Sequence, residues 1–381
     1  MQNDWDIFCA VIDNYGDIGV CWRLARQIAV ERGEAVRLWV DDLQAFAVLC
    51  PEVDPALAEQ QVQGVTVCRW GAPFPAVSPA AVVIEAFACN PPESFLAAMA
   101  VREPKPVWIN LEYLSAEDWV EGCHALGSRH PRLPLSHHFF FPGFNLRTGG
   151  LLREEDLLPA RLAWQEDGAA RAALLGCLGA SGEDLTQDCV SLFCYENPAL
   201  GNLLDGWQGS DHGLTLLVAA GKPQRLVEAW LGTPFPAGRR VRRGGLTLLS
   251  MPFLSQEDYD RLLWSCDFNF VRGEDSLVRA LWAARPLCWH IYPQEEAAHL
   301  VKLDAFLDRY APHQADAPLA AFWRAWNDGD GPRCSQLWRA LRVARRHFEA
   351  HAVRESAALS QQPDLLSQLS AFVGEKQRAS T

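Results

Sequence analysis

Asp13 and Asp17 bracket the short turn Asp13-Asn14-Tyr15-Gly16-Asp17-Ile18-Gly19, which follows the apolar run 7–12 and precedes a helical stripe of Val20, Leu24 and Ile28. In a strand–turn–helix unit the free N–H groups opening the helix ordinarily hold a phosphate. Here two carboxylates occupy that place, stabilised by the helix dipole, and the G-x-G-x-x-G dinucleotide fingerprint is absent. The turn therefore reads as a seat for a cation or a hydrogen-bond donor. Either aspartate alone would pass as a helix cap or a turn residue. The pair, with Gly16 and Gly19 letting another molecule approach the backbone, favours function. A Mg²⁺ site ranks lower, because Ile12, Asn14, Tyr15 and Ile18 add no third carboxylate.

A second constellation has the opposite character. The apolar strand signal 268–271 runs into Arg272-Gly273-Glu274-Asp275-Ser276, and behind it Leu277, Ala280, Leu281 and Ala284 share one helix face. Ser276 and the helix N–H groups donate to phosphate oxygens, and Arg272 offers a planar, bidentate cation. Glu274 and Asp275 accept from sugar hydroxyls. Capping by Asp275 or Ser276 accounts for part of this motif but not for Arg272 or Glu274.

The elements that must position these loops alternate along the chain. The continuous apolar run 7–12 predicts a strand covered on both faces, and further strand signals at 36–40, 65–69, 81–84 and 107–109, alternating with helices, predict a parallel sheet with helices on both faces. The run 139–144 reads as the end of a first domain, residues 1–150. An Ala-rich, charged stretch, 151–182, reads as a crossing segment. A second series, 183–349, has strand signals at 190–195, 214–219, 246–251, 268–271 and 286–292, and helices at 256–266 and 276–284. The tail, about 350–381, is helical and is expected to return to the first domain. Two doubly wound α/β halves place ligands at their strand carboxyl ends, in a cleft.

Composition narrows the class. The 381 residues are 49% hydrophobic and 21% charged, as in a globular protein. Asp and Glu number 47 against 34 Lys and Arg, a net charge of −13, which argues against nucleic acid or an anionic membrane as partner. The opening Met1-Gln2-Asn3-Asp4-Trp5-Asp6 lacks the basic stretch of a secretory leader, and no apolar run approaches the ~20 residues of a membrane span. Twelve cysteines without a C-x-x-C read as reduced, buried small hydrophobes, so a cytoplasmic location is expected and zinc is not. Asp4-Trp5-Asp6 and Asp328-Gly329-Asp330 mimic the D-x-D metal motif, but one precedes a strand and the other sits in a Gly-rich turn. His137 and His138, adjacent on a strand, face opposite ways and make a poor ligand pair.

The segment Ile12-Asp13-Asn14-Tyr15-Gly16-Asp17-Ile18-Gly19-Val20 and the Arg272–Ser276 motif, with Ala283 and Pro286 behind it, resemble the EarP family. So do Ser191-Leu192-Phe193-Cys194-Tyr195-Glu196-Asn197 and Pro252-Phe253-Leu254-Ser255-Gln256. The likeness covers essentially the whole chain. These are the protein-arginine rhamnosyltransferases of bacterial translation elongation factor P. The resemblance implies a GT-B glycosyltransferase fold, with two Rossmann-like domains facing across a cleft, acceptor in the first and donor in the second. It implies dTDP-β-L-rhamnose as donor, one arginine of elongation factor P as acceptor, an α-linked product and no cofactor. Donor binding is then expected at Phe193, Tyr195, Phe253, Gln256, Asp275, Ser276 and Tyr292, with Phe253 stacking on thymine, Gln256 reading its edge, and Arg272 and Glu274 beside the reaction. The acceptor loop would comprise Asn14, Tyr15, Gly16 and Gly19.

A guanidinium is a poor nucleophile, with a pKa above ~12 and delocalised lone pairs. Two carboxylates suit it: they bind it, orient one nitrogen, localise its charge and take a proton late in the reaction. Asp17 is the first choice as base and Asp13 as orienting partner, or the two exchanged. Inversion implies one in-line displacement, with Arg272 and the helix at Ser276 stabilising the departing dTDP and Glu274 either binding rhamnose hydroxyls or positioning Arg272. The scheme calls for no metal. Two other readings remain: a GT-B sugar-nucleotide epimerase or transferase with a small acceptor, and a non-catalytic regulator that binds a nucleotide sugar.

Overall fold

The computed structural model describes residues 4–12, 15–294 and 298–379. The chain divides into two compact units, Met1–Glu155 with Ser360–Thr381, and Asp156–Leu359.

In the first unit the described strands are β1 (Trp5–Cys9), β2 (Val36–Val40), β3 (Glu59–Val62), β4 (Val65–Arg69), β5 (Val82–Ala86), β6 (Val107–Leu111), β7 (Gly127–Arg129) and β8 (Ser136–Phe140). They form one sheet in the order β3-β4-β2-β1-β5-β6-β8-β7. Every pairing is parallel except the two outermost, β3 with β4 and β7 with β8. The helices α1 (Gly16–Gln27), α2 (Leu43–Leu49), α3 (Glu93–Val101) and α4 (Trp119–Cys123) connect them. All residues of β1, β2, β5 and β6 are buried, which is why these segments are nearly continuous apolar runs. One face packs a core around Ile7, Ile18, Trp22, Leu38 and Ile84, and the other a core around Phe8, Trp39, Val83 and Trp108.

The first strand is shorter than its apolar run. It ends at Cys9, Ile12 is 75% exposed, and the amides beyond the strand go to carboxylates: Val11 N–H to Asp41 and Ile12 N–H to Asp17, both 2.9 Å. Apolar character carried the expected strand past the point where the ladder gives way to these side-chain acceptors. The run 139–144 likewise does not end the unit. Its first residues belong to β8, and Gly149 N–H returns to the Phe141 carbonyl at 2.7 Å.

In the second unit the described strands are β9 (Asp188–Leu192), β10 (Leu214–Val218), β11 (Arg240–Arg243), β12 (Leu246–Ser250), β13 (Phe268–Arg272) and β14 (Leu287–His290), in the order β11-β12-β10-β9-β13-β14. Only the edge strand β11 is antiparallel. Its helices are α5 (Leu157–Glu166), α6 (Gly168–Cys177), α7 (Ala199–Gln208), α8 (Lys222–Leu231), α9 (Gln256–Ser265), α10 (Asp275–Ala283), α11 (Ala298–Tyr310), α12 (Ala317–Asn327), α13 (Gly331–Val343) and α14 (Arg345–Ser360). The stretch read as a crossing segment contributes α5 and α6 to this unit. Trp164 Nε1 donates to Ser265 Oγ at 2.9 Å and Arg171 Nε to the Ser265 carbonyl at 2.9 Å, which ties both helices to α9.

The return to the first unit comes at residue 360 rather than about 350, because α14 is held in the second unit by Arg345, which pairs with Asp188 and Asp267. The last helix, α15 (Leu365–Ala379), then buries Leu365, Leu366, Leu369, Phe372 and Val373 in the first unit's core. Leu365 N–H donates to the Leu151 carbonyl at 2.9 Å. The strand order reverses between β1 and β5 in one unit and between β9 and β13 in the other, so the loops after β1 and β9 open onto the crevices where such sheets bind ligands.

Candidate active site

In the first unit Asp17 lies in the first turn of α1, 3% exposed, and its Oδ2 accepts the Ile12 N–H at 2.9 Å. The carboxylate thus closes the post-β1 loop onto the helix N-terminus. The N-cap, Tyr15, makes no side-chain capping bond, and Gly19 N–H reaches the Tyr15 carbonyl at 2.9 Å, so Tyr15, Gly16, Asp17 and Gly19 form one turn of backbone. Asp13 and Asn14 lie outside the described residues. A hydrogen bond to Cys21 and burial push the Cys9 thiol up, with the nearby Asp17 charge adding to the effect. That thiol is not a nucleophile.

Across the switch point, β5 carries an acid that the sequence reading passed over. Glu85 stands level with Phe8 of β1 and is 3% exposed. Burial pushes its carboxyl up to about 7, with the charge of Glu112 adding to this and an Asn90 backbone hydrogen bond opposing it. His137 Nδ1 lies 3.1 Å away, yet burial and His130 lower the imidazole's pKa. Acid raised and base lowered describe a neutral hydrogen bond just below pH 7, with the carboxyl half ionised at about 7, rather than an ion pair. Asn110, next along β6, donates to Glu112 at 2.7 Å and accepts the Ala88 N–H at 3.0 Å. Phe87 and Tyr113 stack at 4.4 Å beside this group. A lone Glu within Val82-Val83-Ile84-Glu85-Ala86 was the available signal. His138 faces the other way, against Phe372.

In the second unit, aromatic rings and cations converge at the strand carboxyl ends. Arg272 closes β13, and its guanidinium carbon lies 4.5 Å from the Phe193 ring and 4.7 Å from the Tyr195 ring. Arg272 Nη1 is buried without a hydrogen-bond partner, a donor that an anion would satisfy. Tyr195 is 3% exposed and meets His290 and the exposed Tyr292 edge-on at 5.4 and 5.3 Å. Burial, then Arg272, His299 and Lys222, push His290 down to about 3, so it stays neutral.

The N-cap of α10 is Glu274, not Asp275 or Ser276, which lie in the first turn. Glu274 makes no side-chain cap; its carboxylate pairs with Lys302 of α11 at 2.8 Å. Gly273 takes φ +63°, and its carbonyl accepts Trp289 Nε1–H at 2.7 Å, which pins the turn. Nothing in the sequence pattern singled out Lys302, whose role depends on a contact 28 residues distant. Gln256 opens α9 behind a Ser255 N-cap and is 5% exposed, whereas Phe253, in the loop after β12, is 43% exposed. An exposed ring in such a loop offers a stacking surface for a base. Helices α9 and α10 are locked together by the buried bidentate pair Arg279–Asp260, 2.9 and 2.6 Å.

Among the described residues no group of three His, Cys, Asp or Glu side chains is placed to hold a metal ion. Asp6 of the first triplet is buried and accepts from Arg37, Trp39 and the Ala80 N–H. Asp330 of the second caps α13. Both serve structure. No described helix is long and apolar enough to cross a membrane, and all twelve cysteines are free.

The family described as "Elongation-Factor P (EF-P) rhamnosyltransferase EarP" matches residues 5–374. A Pseudomonas putida relative named protein-arginine rhamnosyltransferase is 52% identical over 379 residues, 98% of this chain and 99% of that one. A Neisseria meningitidis relative of the same name is 36% identical over 387 residues, covering 98% and 97%. A solved structure described as the structural basis for EarP-mediated arginine glycosylation of translation elongation factor EF-P has a TM-score of 0.69 at 39% identity, over 97% of this chain and 98% of that one. The spinosyn rhamnosyltransferase SpnG, at 12% identity and a TM-score of 0.50 over 98% and 100%, shares the fold. The architecture is the GT-B glycosyltransferase fold. With two Rossmann-like sheets, an aspartate-bearing first turn and an Arg272–Ser276 motif in place, the chain belongs to the EarP family of elongation factor P rhamnosyltransferases.

Proposed function

We propose that the chain transfers L-rhamnose from dTDP-β-L-rhamnose to a guanidino nitrogen of one arginine in translation elongation factor P, with inversion at the sugar's anomeric carbon. The observation that carries this reading is Asp17, a buried carboxylate at the helix N-terminus where a Rossmann-like unit would otherwise receive a phosphate. That unit is suited to a cationic side chain, and the second unit, with Arg272 and an unfilled buried N–H, to an anion.

In the step itself a guanidino nitrogen attacks C1 of rhamnose. The bond from C1 to the β-phosphate oxygen breaks, its electron pair leaves with dTDP, and the proton released by the nitrogen passes to the carboxylate. Asp17 is assigned as that base and Asp13 as its orienting partner. Arg272 and the N-terminus of α10 stabilise the charge growing on dTDP. Glu274, held by Lys302, is positioned to accept from rhamnose hydroxyls. Phe253 stacks on thymine and Gln256 reads its edge. The scheme requires no cofactor, and an acceptor that serves translation supports a cytoplasmic reaction.

Elongation factor P incubated with the chain and dTDP-rhamnose should gain the mass of one deoxyhexose, and an acceptor whose target arginine is replaced by lysine should gain none. A sugar added to a small molecule, or donor epimerisation without transfer, would overturn the assignment.

A further inference from the structure

Lys222 opens α8, directly after the loop that leaves β10, with Gly221 at φ +90° turning the backbone into the helix. Its ammonium lies 5.6 Å from the centroid of the Tyr195 ring, the same ring that Arg272 approaches at 4.7 Å. Both cations also act on the neighbouring imidazole of His290, whose protonation they disfavour. Among the described residues Lys222 pairs with no carboxylate. It also lines a pocket of 270 Å³ with Arg225, Glu196 and Asn197.

Two like charges gathered on one aromatic ring, beside a buried guanidinium N–H that lacks an acceptor, repel each other in the free protein. A multiply charged anion removes that repulsion and fills the vacant donor. From this convergence we infer that Lys222 is a second phosphate-binding residue of the donor site, acting with Arg272 across Tyr195 on the diphosphate of the bound nucleotide. The inference rests on the donor reading of the second unit. Lysine acts here as a point charge on a flexible stem, complementing the fixed fork of the arginine. Because the leaving dTDP carries more negative charge than the same group in the intact donor, Lys222 contributes more as the bond breaks than on binding.

The test uses the full chain with dTDP and thymidine as probes. Lys222→Met should weaken dTDP binding about tenfold or more by isothermal titration calorimetry, the range of a lost charge-assisted hydrogen bond. Thymidine binding, followed by saturation-transfer NMR, should not change, which separates a lost phosphate contact from a misfolded site. Lys222→Arg should restore most of the dTDP affinity, and kcat should fall further than donor affinity in the methionine variant. Unchanged dTDP affinity in Lys222→Met, with Arg272→Met weakened, would overturn the inference and leave the donor reading standing. If Arg272→Met also bound dTDP normally, the donor reading would fall with it. Equal losses for dTDP and thymidine would assign Lys222 to the shape of the site rather than to phosphate.

Discussion

Replacing Glu85 by glutamine should stabilise the first unit in alkaline solution and leave it unchanged in acid. Native Glu85 titrates at about 7, against an ordinary value of 4.5, because it is buried on β5 with Glu112 nearby. Between those values the folded chain keeps a proton that the unfolded chain has released, so stability falls as pH rises through this window. Below pH 4.5 the native site holds the acid neutral at no such expense. Above pH 7 the carboxylate is charged in both states, and the whole difference, ~3 kcal/mol at 1.36 kcal/mol per pKa unit, opposes folding. Glutamine keeps a hydrogen-bond donor for His137 Nδ1 and never ionises. Differential scanning calorimetry from pH 4.5 to 8.5 should show the two proteins together at the acid end. The variant's transition for this unit should be higher by roughly 6–12 °C at the alkaline end, taking ~2–4 °C per kcal/mol. Hydrogen exchange at the β5 and β6 amides should localise the gain. A gap that is constant across this range, or that widens towards acid, would refute the account of Glu85.

Three further outcomes are expected. Asp17→Asn should retain the acceptor for the Ile12 N–H, lower rhamnosyl transfer by ~100-fold or more, and leave dTDP affinity nearly intact in calorimetry. Phe253→Ala should weaken both dTDP and thymidine binding by about tenfold, the scale of one lost base–aromatic stack, without moving the thermal transition. Leu369→Ala, fully buried in the first unit's core, should cost ~2–5 kcal/mol in denaturant unfolding of that unit while dTDP affinity stays the same.

The central strands are readable in the sequence because both their faces are covered: Val36–Val40 and Leu214–Val218 are apolar but for Arg37 and Thr215. The antiparallel edge strands escape such a reading. Glu59–Val62, Gly127–Arg129 and Arg240–Arg243 are half-exposed and polar, and only pairing with a neighbour makes them strands. Apolar content also misplaced ends, since Val11 and Ile12 continue a hydrophobic run whose amides turn to Asp41 and Asp17. At the site, Asp17 and Arg272 were legible because a charge at a strand–helix turn is conspicuous. Phe193 and Tyr195 were not, except by family likeness, as an aromatic in a strand ordinarily means core. Lys222, Lys302 and Glu85 are ordinary residues in ordinary contexts, and only the folded arrangement brings them against Tyr195, Glu274 and His137.

The helix at the far end of the chain, α15, supplies five core side chains to the unit built from the beginning of it. During synthesis one hydrophobic flank of that unit stays uncovered while the ribosome adds about 200 further residues. At ~5–20 residues per second the wait is roughly 10–40 s. The middle unit, local in sequence, is free to complete itself first, so the order of maturation on the ribosome runs against the order of the polypeptide. A nascent chain stalled before Leu365 should accordingly engage chaperones through the flank that α15 later covers.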